Sequence, residues 1–488
     1  MRNMLTHLWA IRQKVGRIGL ILIALALLWA ESGGGSGILP TSDVLAASLP
    51  DAVPNTFLYL PMLYKGAPHE NRYGAEIGPI TNAAGLVQMT DTGMTWIRKA
   101  AVWWPDVEPT EGSYNWAALS GLESELTNAY NNHLQVVLIV RGTPDWAQTT
   151  TWAGHSCSAI RSDKFSAFAT FLSQLVTRYR FWPYHVTYWE LGNEPDPDPA
   201  DVGPDSLWGC WGDKSDPVNY GGDVYADMLK VAYPAIKAAN PQAQVLIGGL
   251  LMDCDPDNPP TGKDCSSSHF LDGILGNGGG PYFDGVSFHA YDYYADALGG
   301  FSNFNWNTSW DTTGTATIAK ANYLKSRLGA FSVTGKYLLN TEAAVLCDPA
   351  WGMTCDSTWE TTKAYYVARV YAETAALDLR ATFWYYWPER NARLVNSDLS
   401  TTPAYDAYTF SRQELDGAIY LADYSGTSGV AGYKFTRGSV EVWVLWSLDG
   451  ASHDVTLSGT PAIYDVDGDP VAFNNPLTIG LEPYYLEY

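Results

Sequence analysis

Basic residues are scarce in this sequence. Lys and Arg together number 29 of 488 residues, against 52 Asp and Glu, which gives a formal net charge of −23. Proteins that bind nucleic acids draw their affinity from clustered Lys and Arg, so this balance argues against a nucleic-acid partner. Hydrophobic residues make up 46% and charged residues 17% of the chain, which is typical of a chain that folds around a core.

Motifs for nucleotides and for zinc are also missing. No Gly-x-Gly-x-x-Gly or Gly-x-x-x-x-Gly-Lys sequence opens a helix after a strand-like run, so nucleotide binding has no support. No two of the six cysteines have the Cys-x-x-Cys spacing of a zinc site, and an exported chain favours disulfides. Six cysteines allow fifteen pairings, of which spacing favours Cys254 with Cys265, Cys347 with Cys355, and Cys157 with Cys210.

The N-terminal apolar run is too short for an ordinary membrane span. Residues 18–30 are uncharged and apolar, but a span needs about 18 or more such residues. Basic residues precede this run, so residues 1–30 are predicted to be a secretory signal, with an uncleaved membrane anchor as the alternative. Residues 31–54 are rich in Gly, Ser, Ala and Pro, as in a flexible tether. We therefore expect a secreted protein, or one tethered to the cell surface, with no other membrane contact.

From about residue 68 to 415, strand-like runs alternate eight times with amphipathic stretches. Three helices are predicted at 164–180, 224–240 and 361–378, the second ended by Asn240-Pro241. Eight such units predict an α/β fold built as a closed (β/α)8 TIM barrel, with a doubly wound open sheet as the alternative. The runs cover residues 72–78, 95–103, 134–142, 186–194, 244–250, 283–291, 336–344 and 380–388.

A second region begins at about residue 416. Short strand-like runs follow one another there without helices, with turns at Asp449-Gly450 and Asp467-Gly468. The runs cover residues 418–424, 430–435, 440–447, 453–457, 462–466 and 481–488. Residues 416–488 are therefore predicted to form a small C-terminal all-β, sandwich-like domain. A further strand-like run at 55–66 is expected either to join this domain or to cross the bottom of the barrel.

Two glutamates close strand-like runs at matched positions. The fourth run ends in Asn193-Glu194-Pro195, and the seventh ends in Thr341-Glu342. In a TIM barrel the active site lies at the C-terminal ends of the strands, so these carboxylates are expected to face one central space. Two carboxylates across a cleft are the requirement of glycoside hydrolysis, where one protonates the leaving oxygen and the other attacks the anomeric carbon.

With these motifs, residues 68–415 resemble the clan A retaining glycoside hydrolases, and the trailing β-domain is similar to those of family 39 and of relatives of family 5. The resemblance implies that Glu194 is the general acid/base and Glu342 the nucleophile. It also implies that Asn193 holds the sugar 2-hydroxyl, a hydrogen bond that strengthens in the transition state.

Four further residues match positions of the same clan. Arg98, in the second run, matches the arginine that keeps the nucleophile ionised by its positive charge. His289 and Tyr291, in the sixth run, match residues that touch the acid/base and the nucleophile respectively. Trp387, at the end of the eighth run, matches the floor of the subsite where the bond breaks.

Other acidic residues lie close to these in the sequence. Glu190 shares strand parity with Glu194 but is deeper, so it is predicted to be a buried structural partner. The loop that contains Asp196, Asp198, Asp201 and Asp205 is predicted to be solvated rather than a calcium site, and so is the loop at 253–265, because neither has EF-hand spacing.

Aromatic residues are abundant, at 14% of the chain, so some rings are expected to face a ligand. Of those in the predicted mouth loops, two or three are expected to stack on sugars. They are Trp146, Trp208, Trp211, Tyr293, Tyr294, Phe301, Phe304, Trp306 and Trp351.

The sequence thus predicts a secreted retaining glycosidase that acts on an oligo- or polysaccharide and needs no cofactor or metal. One alternative is a carbohydrate-binding barrel at the cell surface that has lost catalysis, which hydrolysis of any glycoside would exclude. A second alternative is a barrel enzyme that uses metal or phosphate, and insensitivity to EDTA would weigh against the metal version. The sequence does not name the sugar or the oligomeric state.

Overall fold

The computed structural model describes residues 71–204, 206–388 and 392–488. The predicted signal, the tether and the strand-like run at 55–66 lie outside these ranges, as does Asp205. None of the helices within them combines the length and apolarity that crossing a bilayer requires.

Eight parallel strands close into a barrel, as predicted. Each strand pairs in parallel with the next one around the barrel, and the last pairs with the first. The strands are β1 (Tyr73–Glu76), β2 (Trp96–Trp103), β3 (Gln135–Arg141), β4 (Tyr188–Asn193), β5 (Gln244–Leu250), β6 (Gly285–Tyr294), β9 (Tyr337–Leu346) and β10 (Ala381–Trp384). Two short strands, β7 (Phe301–Asn303) and β8 (Thr308–Ser309), extend β6 antiparallel at the mouth.

The connecting helices cover the outside of the barrel. The helices predicted from periodicity are observed at Phe165–Tyr179, Gly222–Ala239 and Ser357–Ala376. The second of them ends at Ala239, with Asn240 as its C-terminal cap. The α-helices are α1 (Leu86–Asp91), α2 (Trp104–Val107), α3 (Ser120–Asn131), α4 (Phe165–Tyr179), α5 (Pro199–Val202), α6 (Gly222–Ala239), α7 (Phe270–Gly276), α8 (Ala316–Ala330), α9 (Ser357–Ala376) and α10 (Pro403–Leu415). Short 3-10 helices occupy Asn82–Ala84, Trp116–Leu119, Asp145–Ala147, Thr150–Trp152, Ser162–Lys164, Ser266–His269, Gly280–Tyr282 and Pro349–Trp351.

The C-terminal region is antiparallel and all-β, as predicted. A five-stranded sheet in the order β11-β12-β13-β17-β15 faces a two-stranded sheet, β14-β16. The strands are β11 (Ile419–Asp423), β12 (Val430–Arg437), β13 (Val440–Ser447), β14 (His453–Val455), β15 (Ala462–Tyr464), β16 (Leu477–Ile479) and β17 (Tyr484–Glu487). Strand β16 is the element that the sequence analysis did not single out.

The five-stranded sheet is buried on both faces at its central strand β13, whereas its edge strand β11 is exposed. Side chains of β13 alternate, so Val442, Val444 and Trp446 join the hydrophobic cluster of the barrel, whereas Leu445 joins a separate cluster against the two-stranded sheet. The guanidinium of Arg369, on α9, lies 4.9 Å from the centre of the Trp446 ring. The β-region therefore completes the packing of the barrel's outer helices.

Three disulfides are present, and they are the three that spacing favoured. Among the described residues no cysteine is free. The pairs are Cys157–Cys210, Cys254–Cys265 and Cys347–Cys355. The first joins the loops that follow β3 and β4, and the other two each close one loop at the barrel mouth.

Candidate active site

Arg98 lies at the centre of the barrel mouth and binds the carboxylates around it. Its side chain is fully buried, and it donates to Glu190 Oε1 from Nη2 at 2.6 Å and from Nε at 3.2 Å. It also donates to Glu76 Oε2 at 2.6 Å, to Asn193 Oδ1 at 2.6 Å and to Glu342 Oε1. The guanidinium thus fixes four side chains from three other strands, because its planar fork offers five donors. Glu190 is buried and paired, as predicted.

Glu342 reaches this centre because of a β-bulge in β9. Leu339 belongs to the cluster inside the barrel, so strict alternation would turn residue 342 outward. The register shifts between β6 and β9, where Phe288 pairs with Asn340 but His289 pairs with Glu342. The extra residue, Thr341, returns Glu342 to the inner face, where the hydroxyl of Tyr291 also donates to its carboxylate.

Glu194 follows β4 in a left-handed backbone conformation, with φ of 45°. Its backbone N–H donates to the carbonyl of Gly249 at 2.8 Å. Its Oε1 lies 2.8 Å from Nδ1 of His289, and Nε2 of the same ring lies 3.4 Å from Glu342 Oε1. The imidazole therefore lies between the two carboxylates.

Gly249 leaves the space that the His289 ring occupies. A Cβ at this position would lie 2.2 Å from Nε2 of His289 and 2.9 Å from Oγ1 of Thr341. No side chain other than hydrogen fits there without moving the ring. This glycine thus belongs to the geometry of the site.

The two glutamates are close together and shielded from water. A carboxylate oxygen of Glu194 and one of Glu342 lie within 4.8 Å of each other, and the side chains are 13% and 8% exposed. This separation is near the 5 to 5.5 Å of retaining glycosidases and below the 6.5 to 9.5 Å of inverting ones.

Burial raises the pKa of Glu194 to about 7, although the charges of Arg98 and Lys320 oppose the shift. We expected Arg98 to hold the pKa of Glu342 low. The structure instead raises the pKa of Glu342, because burial and the negative Glu76 and Glu194 outweigh the lowering by His289 and Arg98. Since Glu194 is among the charges that raise the pKa of Glu342, we expect the protonation of one carboxyl to affect that of the other. Because Arg98 and Tyr291 both donate to Glu342, the proton of a singly protonated pair is better placed on Glu194.

Buried charges surround the His289 side of the site. Burial lowers the pKa of His289 to about 4, so its imidazole is neutral. Lys320 Nζ donates to the carbonyls of Leu251 at 2.6 Å and His289 at 2.8 Å. Asp196 accepts the N–H groups of Leu251 and Met252 at 2.9 and 2.7 Å.

The prediction of a solvated acidic loop after Glu194 is wrong for two of its residues. Asp196 is fully buried and Asp198 is 5% exposed, and Asp198 caps α5 by accepting from Ala200 N. Each carboxylate is satisfied by backbone N–H groups, which is what allows its burial.

The predicted aromatic platforms divide into buried and exposed rings. Tyr294, Phe301 and Trp306 are core residues. Tyr293 lies 5.5 Å from the centre of Trp351 and 6.5 Å from that of Phe304, and the latter two are 58% and 70% exposed. Tyr293 lies near the end of β6, Phe304 between β7 and β8, and Trp351 in the loop that follows β9. Trp208 is exposed as well, in the loop after β4.

Of the two tryptophans predicted to bind substrate, Trp387 is turned into the core, whereas the role of the half-buried Trp146 stays a prediction. Trp387 is fully buried, with its indole N–H donating to Gly85 O at 3.2 Å, so it offers no ring face to a sugar. At the end of β10 it is Tyr385 whose ring lies 5.6 Å from that of Tyr291. Trp146 packs edge-on against buried Trp104, with ring centres 5.3 Å apart.

Two site residues were not predicted from the sequence: Glu76, at the end of β1, and Arg141, at the end of β3. Both are polar residues that close an apolar strand, which is the same signal that identified Glu194 and Glu342. Neither stood within a recognisable motif.

Among the described residues, the group whose atoms are close enough together to hold a metal ion is Glu194, His289 and Glu342. The two nitrogens of His289 face different carboxylates. A metal ion needs its ligand atoms to converge on one point, and this arrangement of the ring does not provide that convergence.

Comparisons with known proteins agree with this architecture. Residues 62–389 match the cellulase family, glycosyl hydrolase family 5. The sequence has no match among curated proteins. A solved family 39 glycoside hydrolase from Bacteroides cellulosilyticus is similar with a TM-score of 0.63 at 19% identity, over 86% of this chain and 81% of that chain.

A family 30 endoxylanase from Clostridium papyrosolvens gives a TM-score of 0.57 at 14% identity, over 86% of this chain and 96% of that chain. A conserved exported protein from Bacteroides fragilis gives 0.59 at 13% identity, over 86% of this chain and 97% of that chain. At these identities the likeness establishes the fold.

Proposed function

The chain belongs to glycosyl hydrolase family 5, the cellulase family, and from this premise we propose that it is a secreted retaining glycosidase that cleaves O-glycosidic bonds of an oligo- or polysaccharide. The observation that carries the proposal is the pair of buried carboxylates, Glu194 and Glu342, whose oxygens lie within 4.8 Å across the barrel mouth. In this proposal residues 1–30 form the signal, residues 31–54 a tether, residues 68–415 the catalytic barrel and residues 416–488 a supporting β-domain.

The first step of the reaction is attack by Glu342 on the anomeric carbon while Glu194 protonates the departing oxygen. Arg98 and Tyr291 orient the Glu342 carboxylate through their hydrogen bonds. The raised pKa of Glu194, about 7, keeps it protonated at mildly acidic pH, as a general acid must be. Asn193, held by Arg98 at 2.6 Å, is placed to bind the sugar 2-hydroxyl.

In the second step Glu194, now ionised, removes a proton from water, which attacks the glycosyl-enzyme from the side that the leaving group occupied. Nδ1 of the neutral His289 lies 2.8 Å from Glu194 Oε1. In one tautomer it accepts a hydrogen bond from the protonated carboxyl, and in the other it donates one to the ionised carboxyl. The exposed rings of Phe304 and Trp351 offer stacking faces for sugar units beyond the cleavage point.

A screen of aryl glycosides and polysaccharides, with proton NMR of the first-formed product, tests the proposal. We expect retention of the anomeric configuration, and an inverted product would exclude the mechanism.

Variants then separate the two roles. Glu342→Ala should lose activity on every substrate, and azide should rescue it to an inverted product. Glu194→Ala should keep activity on dinitrophenyl glycosides, whose leaving group needs no proton, and azide should rescue it with retention. Labelling of Glu194 or Glu190 by a mechanism-based fluorosugar would reverse the assignment.

A further inference from the structure

A second arginine, Arg141, faces the same mouth from β3. Val137 lies in the cluster inside the barrel, and alternate side chains of a strand share a face, so Ile139 and Arg141 also point inward. Arg141 is the last residue of the strand and pairs with Trp103 of β2. A bulge in β2 between Ala100 and Val102 brings Trp103 to the inner face beside it.

The guanidinium of Arg141 has few partners of its own. One N–H donates to the carbonyl of Leu207 at 2.9 Å, and the group lies 5.7 Å from the centre of the Trp103 ring. Among the ion pairs of the described residues, none involves Arg141, whereas Arg98 pairs with three carboxylates. Arg141 therefore keeps most of its five donors for another ligand.

This arginine is close enough to the reaction centre to feel its charges. Burial and the positive charge of Arg98 lower the pKa of Arg141, while Glu76 and Glu342 raise it. An arginine stays protonated in proteins, so the mouth carries a half-buried positive charge with which no carboxylate in the described part of the chain pairs.

The surroundings limit what kind of ligand can reach this charge. At the mouth Glu76, Glu190 and Glu342 share the single positive charge of Arg98, and the whole chain has a net charge of −23. A negatively charged substrate would be repelled everywhere except beside a cation that is not already neutralised. The cavity of about 30 Å³ that Arg141 and Asn193 help to line has room for water but not for a sugar, so the ligand of Arg141 would bind outside this cavity.

Building on the glycosidase activity proposed above, we propose that Arg141 binds the carboxylate of a uronic acid unit in the substrate, on the β2–β3 side of the mouth. The planar guanidinium fork matches a carboxylate through two parallel hydrogen bonds. The half-buried ring of Trp103 beside it gives that sugar an apolar surface. The preferred substrate is therefore an acidic oligo- or polysaccharide.

Binding measurements on pairs of ligands that differ only in the carboxylate test this inference. Acidic xylo-oligosaccharides that bear glucuronic acid, and oligogalacturonides, are each compared with their carboxyl-reduced forms by calorimetry at fixed ionic strength. The full chain with Glu342→Gln serves as the reference, so that no ligand is cleaved. We expect at least one acidic ligand to bind about tenfold or more tightly than its reduced form, the size of one charge-assisted hydrogen bond.

Three additional variants on that reference assign the effect. Arg141→Gln should abolish the preference, and Arg141→Lys should keep part of it because the charge remains but the fork is lost. Arg178→Gln is the matched control, since it removes the same charge from the outer surface of α4, where Arg178 pairs with Glu123. It should leave the preference unchanged.

Two results would overturn the inference: no acidic ligand binds more tightly than its reduced form, or the preference survives Arg141→Gln. Both are independent of the proposed activity. If acidic ligands bind through Arg141 but the wild-type chain hydrolyses none of them and no aryl glycoside, the glycosidase proposal fails while the carboxylate site stands.

Discussion

Replacing Glu342 by Gln should lower the pKa of Glu194. The substitution keeps the size of the side chain and its hydrogen-bonding oxygen but removes a negative charge within 4.8 Å of the other carboxylate. A neighbouring negative charge disfavours ionisation, so its removal favours the ionised form of Glu194.

The geometry sets the size of the effect. At the upper limit of 4.8 Å for their separation, two unit charges repel by about 3.5 kcal/mol at an effective dielectric constant of about 20, which corresponds to about 2.5 in pKa. Hydrogen bonds from Arg98 and Tyr291 already offset part of the negative charge of Glu342. We therefore expect the pKa of Glu194 to decrease by about 2. The pKa of Glu194, which burial raises to about 7 in the native chain, should therefore be lower in the variant.

Carbon-13 NMR of protein labelled at the glutamate carboxyls measures this directly, with Glu194→Gln to assign the resonance. Glu111→Gln is the matched control, because Glu111 lies on the surface and pairs with Lys164. It removes the same charge far from the pair and should leave the pKa of Glu194 unchanged.

An unchanged or higher pKa of Glu194 in Glu342→Gln would refute the reasoning. It would mean that burial alone sets the pKa of Glu194, and that the two carboxyls do not share a proton.

Three shorter predictions follow from the packing and the titration of the chain. Gly249→Ala should displace His289 and lower kcat about 100-fold, whereas Gly329→Ala, where a Cβ meets nothing within 4 Å, should not; equal kcat values would contradict this. A chain that ends at Leu415 should be poorly soluble and unfold at lower temperature, because it exposes the outer barrel helices, and a soluble, fully active truncation would contradict that. Burial raises the pKa of carboxyls such as Glu373 to about 7, whereas the same groups in the unfolded chain lose their protons from about pH 4 upward. Between these pH values the folded chain binds more protons than the unfolded chain, so its stability falls as the pH rises. Calorimetric Tm should therefore fall from pH 5 to pH 7, and a rising Tm would contradict this sign.

The fold could be predicted from the sequence because its signals are local and repeated. The run at 134–142 predicted β3 at Gln135–Arg141, and the helical period at 164–180 predicted α4 at Phe165–Tyr179. Each strand-helix unit can be predicted from its own residues, and eight such units in succession favour a closed parallel barrel. Strand β16 (Leu477–Ile479) is no shorter than β14 and β15, but it was missed because Pro476 before it and Gly480 after it indicate a loop.

The site was predictable only as far as strand ends and motifs reach. The bulge at Thr341 that turns Glu342 inward leaves no trace in the alternation of the residues. Trp387 had the right residue type at the right place in the motif, yet the chain after β10 directs its ring into the core, where Tyr405 and Tyr408 pack against it. Side-chain direction at the end of a strand depends on contacts with distant segments, which spacing does not encode.

Arg98 and Arg141 show how partners, rather than position, separate the roles of two similar residues. Both lie on the inner face of adjacent strands, and both are arginines near the same carboxylates. Arg98 is fully buried, and its donors bind Glu76, Glu190, Glu342 and Asn193. Substitution would leave Glu190 buried without its counter-charge and should lower the free energy of unfolding by about 3 to 5 kcal/mol. Arg141 donates to one carbonyl, so its loss should cost little stability and appear mainly in ligand binding. A comparison of unfolding free energies for Arg98→Gln and Arg141→Gln would test that division, and equal losses would contradict it.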